Sequence, residues 1–76
     1  MKPNPKPKLY YAYGRLADPR TPLLNRSFKK QQLAVQQITT WAQSHDTLKN
    51  LWVELPDGSR DVYNRLGNFI GNIKGT

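Results

Sequence analysis

One stretch limits the architectures open to this chain. From Ser27 to about His45 it lacks Gly and Pro, is rich in Gln with further helix-tolerant Lys, Leu and Ala, and repeats apolar residues at helical spacing. Phe28, Val35, Ile38, Trp41, Ala42 and His45 fall on one side, with Ala34 adjoining and Leu33 at its edge. An amphipathic helix of this kind has one apolar stripe and needs a second layer to bury it against.

The flanking segments supply that layer as strands. Leu9 to Leu16 is aromatic-rich, and a period of two places Leu9, Tyr11 and Tyr13 on one face and Tyr10, Ala12 and Gly14 on the other. Asp18-Pro19-Arg20-Thr21-Pro22 stops it in a loop with Arg20 at the tip. Leu51, Val53 and Leu55 alternate inward, with Trp52 and Glu54 on the opposite face, and Pro56-Asp57-Gly58 forms a turn. Ser59 to Leu66 reads as a hairpin strand or a short helix ending at Gly67, and Phe69 to Ile73 as the last strand. The expected fold is α+β: a small antiparallel sheet of three or four strands covered by one long amphipathic helix. The expected order is β-α-β-β-β, with a short helix as the alternative fourth element. A disordered basic tail over residues 1–8 precedes a single domain over 9–76.

At 76 residues there is room for one modest core. No cysteine is present, which points to a reducing compartment and leaves packing or oligomerisation, such as a homodimer, to add stability. The opening Lys- and Pro-rich residues contain no apolar run, so the expectation is a soluble, cytoplasmic protein without a membrane partner.

Catalytic chemistry is sparsely represented. There is one His and five carboxylates, and no pair of acids has the spacing of a metal or glycosidase site. Asp57 belongs to a turn, Asp18 precedes a Pro, and His45 suits the negative pole of the helix end. The sequence therefore predicts no catalytic residues, no metal and no cofactor.

Charge is the more informative feature. Residues 1–30 hold eight Lys and Arg against Asp18 alone, for a net +7, whereas residues 31–76 hold four of each sign. Lys6, Lys8, Arg15, Arg20, Arg26, Lys29 and Lys30 are the candidate phosphate-binding cations, with the Ser27 hydroxyl beside them at the predicted helix start. Tyr10, Tyr11 and Tyr13 interleave with these charges in the manner of residues that stack on unpaired bases, and parity separates Tyr10 from the other two. Trp52 is a candidate protein contact.

Two functions follow as expectations. The first is a non-catalytic protein that binds nucleic acid through phosphate contacts on its basic N-terminal face. The alternative is a small inhibitor or regulator of the phage or mobile-element type, which docks on an acidic or nucleic-acid-binding surface of a host protein complex.

Overall fold

A computed structural model describes residues 8–74. The strands are β1 (Tyr10–Leu16), β2 (Leu24–Phe28), β3 (Leu48–Glu54), β4 (Arg60–Tyr63) and β5 (Phe69–Ile73), and a single helix, α1 (Gln31–Ser44), falls between β2 and β3. They form one antiparallel sheet in the order β2-β1-β3-β4-β5, with α1 packed on β1, β2 and β3. The α+β class with one helix on an antiparallel sheet is as expected. Apart from Lys8, the expected tail lies outside the described residues.

Strand alternation decides which side of the sheet each residue takes. Ala12 lies opposite Val53, and Gly14 opposite Leu51; Val53 and Leu51 in turn face Asp61 and Tyr63 across β4. These positions form the helix side of the sheet, where Ala12, Leu51, Val53, Leu48 and Tyr63 join Ala34 and Ile38 in the buried core. Burial raises the phenol pKa of Tyr63, and the neighbouring Asp61 carboxylate adds to the effect.

Two sequence expectations are corrected. The sheet has five strands, because residues 24–28 are a strand and not loop followed by helix. The helix consequently begins at Gln31, not Ser27. Arg26, Ser27 and Phe28 pair with Ala12, Tyr11 and Tyr10, which satisfies the outer backbone edge of β1. Lys30 stands at the N-cap in extended conformation and offers no side-chain cap, while the His45 amide donates to the Trp41 carbonyl at 3.0 Å at the other end.

The ambiguity over residues 59–66 resolves in favour of a strand, because the chain turns twice by the same device. Leu55 and Gly58 close the β3–β4 turn, with the Gly58 amide donating to the Leu55 carbonyl at 3.0 Å and the Leu55 amide to the Ser59 carbonyl at 2.8 Å. Asn64 and Gly67 close the β4–β5 turn with the same pattern, both bonds at 2.9 Å. Each ends on a glycine of positive φ, 89° at Gly58 and 88° at Gly67, as three-residue hairpin loops with a glycine bulge require. A side-chain acceptor braces each turn. Asp57 Oδ1 accepts from the Ser59 hydroxyl at 2.6 Å and amide at 2.9 Å, which lowers the Asp57 pKa, and Asn64 Oδ1 accepts from the Leu66 and Asn68 amides.

One polar contact ties distant elements together. Asp61 is buried on the helix side; its Oδ2 accepts from Gln31 Nε2 at 3.0 Å and its Oδ1 from Asn72 Nδ2 at 2.8 Å. The first residue of α1 and the edge strand β5 are thus held by one carboxylate, whose burial is compensated by both bonds.

The two turn glycines differ in one respect. A Cβ at Gly58 would meet nothing within 4 Å, whereas one at Gly67 would lie 3.3 Å from Ala42 Cβ on α1. Gly58→Ala is expected to cost only the left-handed backbone penalty, about 1–2 kcal/mol, and Gly67→Ala visibly more. Denaturant unfolding of both variants checks this; equal losses would mean that the second turn does not dock on the helix.

Candidate nucleic-acid interface

One helix covers one side of the sheet, so among the described residues the other side is left open. The strand registers lay out that open face as rows. One row crosses all five strands as Ser27, Tyr11, Glu54, Arg60 and Ile73; the next crosses as Asn25, Tyr13, Trp52, Val62 and Gly71. Arg15 and Asn50 begin a third. Antiparallel sheets commonly leave one face to solvent, but that face is then usually polar. Here its centre is aromatic.

The rings touch one another. Tyr13 and Trp52 stack across β1 and β3 with centroids 5.3 Å apart and planes 19° from parallel, and Tyr11, in the neighbouring row two residues along β1, extends the cluster at 6.4 Å and 26° from Tyr13. Such pairs contribute about 0.5–1.5 kcal/mol each beyond burial, so the cluster is held in place before anything binds. Tyr11 is its exposed end, at 37% accessibility. On the far side of Trp52, a recess of about 370 Å³ is bounded by Arg15, Asn50, Trp52, Arg60, Val62 and Ile73. Arg15 and Arg60 both line it, from the rows on either side of that of Trp52.

The electrostatics of the face register in the Tyr13 phenol, whose pKa is raised. Burial is the main cause; the Glu54 carboxylate and Tyr11 add to it, and Arg60 opposes them.

The sequence-predicted residues separate in space. Tyr11, Tyr13, Arg15, Ser27 and Trp52 share the open face. Tyr10 falls on the helix side and packs against the core. Arg26 also faces the helix side, where its Nη1 donates to Gln37 Oε1 at 3.0 Å and its guanidinium lies 5.7 Å from the Phe28 ring centroid. Arg20 sits in the β1–β2 loop, paired with Asp18 at 3.6 Å and almost fully exposed. Lys29 and Lys30 are exposed in the link to α1, Lys8 lies just before β1, and Lys6 is outside the described residues. The expected phosphate site built from Ser27 at a helix N-terminus does not form, because Ser27 is in β2 with its side chain on the open face.

Sequence reasoning missed Arg60 and Glu54. The Pro56-Asp57-Gly58 turn held the signal: closing a hairpin there puts residue 54 opposite residue 60, on the same face as Trp52. Among the described residues no group of three or more His, Cys, Asp or Glu is placed to hold a metal ion, and no helix is long and apolar enough to cross a membrane. No protein-family model matches the chain, and neither does any curated protein or solved structure.

The placement of Glu54 has a direct optical consequence. Glu54→Gln removes a negative charge beside Tyr13, so the phenol is expected to ionise at lower pH in the variant than in the parent. Ultraviolet difference titration of the tyrosines, with Tyr13→Phe to assign the transition, measures it; an unmoved Tyr13 curve would separate the two groups.

Proposed function

We propose that this protein binds single-stranded nucleic acid across the open face of its sheet. The carrying observation is the cluster of Tyr11, Tyr13 and Trp52 on the face of the sheet away from the helix, bordered by Arg15 and Arg60. Unpaired bases stack on aromatic side chains while Arg and Lys follow the phosphates, and this combination is sequence-tolerant because every base has a π-face. The five-stranded sheet presents a broad surface, whereas duplex DNA admits a helix or a two-stranded ribbon into its major groove. Lys8 adds a cation just before the start of β1.

A second reading is favoured by a separate observation. β5 is an edge strand without a charged residue or Pro, and it exposes Phe69, Ile70 and Ile73. Unguarded apolar edges accept an added strand from another chain, and Tyr, Trp and Arg are the residue types that dominate protein contacts. An inhibitor or regulator of a host protein complex would use these features, with Trp52 as its anchor.

Fluorescence anisotropy with labelled single-stranded and duplex oligonucleotides of equal length tests the first reading. Single strands should bind more tightly, with a log–log salt slope near about −3.5 if about five phosphates are engaged. Trp52→Ala and Tyr13→Ala should each weaken binding by about 1–3 kcal/mol. A slope near zero together with a stoichiometric protein complex that survives nuclease treatment would favour the second reading.

A further inference from the structure

Glu54 is out of place on a face that follows phosphates. A carboxylate there repels the nucleic-acid backbone and weakens sequence-independent binding. It is also not neutralised by its neighbour: Arg60 lies directly across β4, yet among the described residues Arg20 and Asp18 form the one ion pair within 4.0 Å. Among the described residues the Glu54 oxygens have neither an ion-pair nor a hydrogen-bond partner.

They border a defined space. A recess of about 260 Å³ lies at this end of the sheet, bounded by Lys8, Tyr11, Glu54, Leu55, Pro56 and Gly58. That is smaller than the roughly 300–1,000 Å³ of sites for drug-sized molecules, and on the scale of one planar heterocycle. Its lining combines the exposed ring of the aromatic cluster, three apolar residues with Leu9 among them, one acidic residue and one basic residue. Gly58 adds no side chain, and a Cβ there would meet open space.

Resting on the single-strand reading above, we infer that this recess receives one unpaired guanine base of the bound strand. The base stacks on Tyr11. Its Watson–Crick edge presents N1–H and the N2 amino group side by side, a donor fork that matches the two oxygens of the Glu54 carboxylate. Such charge-assisted bidentate bonds are short and strong. Adenine and cytosine offer one amino group beside a ring nitrogen lone pair, which the carboxylate repels. Uracil and thymine offer one N–H between two carbonyl oxygens, which is worse. Lys8 donates to the phosphate of the same nucleotide as its counter-ion. Glu54 is the specificity residue; the rest of the face binds without regard to sequence.

The test uses the full chain and single-stranded uridine oligonucleotides of one length that carry one central G, A or C, or none. The G-containing probe is expected to bind about tenfold more tightly than the all-U probe, with A and C between them. Glu54→Gln should lose most of this preference and bind the all-U probe more tightly than the parent, because a negative charge has gone. That opposite movement is one that misfolding does not produce, and a thermal melt of the variant confirms its fold. Guanosine monophosphate should displace the G-containing probe at concentrations where uridine monophosphate does not. Equal affinity for all probes, combined with losses in Trp52→Ala and Tyr13→Ala, would overturn the guanine assignment and leave the binding face intact. Failure of every probe to bind would overturn both.

Discussion

A helix with its side chains is about 10–12 Å across, and five strands at about 4.8 Å spacing make a sheet roughly 20 Å wide. One helix cannot roof such a sheet, and most properties of this protein follow from that mismatch. α1 lies over β1, β3 and β2, where Ala12 and Gly14 keep the sheet surface low and Ile38 and Ala34 come down onto it. The roof stops short of β5, so Phe69 and Ile70 stay exposed, and among the described residues no second layer covers the reverse side of the sheet.

The reverse side meets this exposure with its own chemistry. Tyr13 and Trp52 shield one another across two strands, which gives the face a fixed aromatic centre without a covering element. Polar residues surround it: Asn25 and Ser27 on one flank, Asn50 and Arg15 at one end, and Glu54 and Arg60 at the other. Rings locked by mutual stacking lose little freedom when a ligand arrives, and the uneven charge around them can orient that ligand.

The parts of the fold that rest on local signals were legible in the sequence. The helical repeat from Val35 to Ala42, the alternation of Leu51, Val53 and Leu55, and the Pro-Asp-Gly turn each encode their conformation within a few residues. β2 was not legible. Leu24 to Phe28 has middling strand propensity, Ser27 resembles an N-cap, and Phe28 fits the helical stripe; only pairing with β1, a non-local event, makes it a strand. The same omission distorted the charge picture. Because β1 and β2 run antiparallel, with Tyr10 beside Phe28 and Gly14 beside Leu24, Arg20 lies at the end of the sheet opposite Lys8, Lys29 and Lys30. Cations that are neighbours in the sequence are therefore not one patch in space. Parity correctly separated Tyr10 from Tyr11 and Tyr13, but Trp52 could be joined to them only through the β1–β3 register.

The Asp61 carboxylate gives the molecule an internal splice between its middle and its end. It grips Gln31 with one oxygen and Asn72 with the other, so a single side chain of β4 links the first turn of the helix to the edge strand β5. Loss of that one carboxylate would free the helix entrance and the sheet edge together, so two distant parts of the fold share a single point of failure.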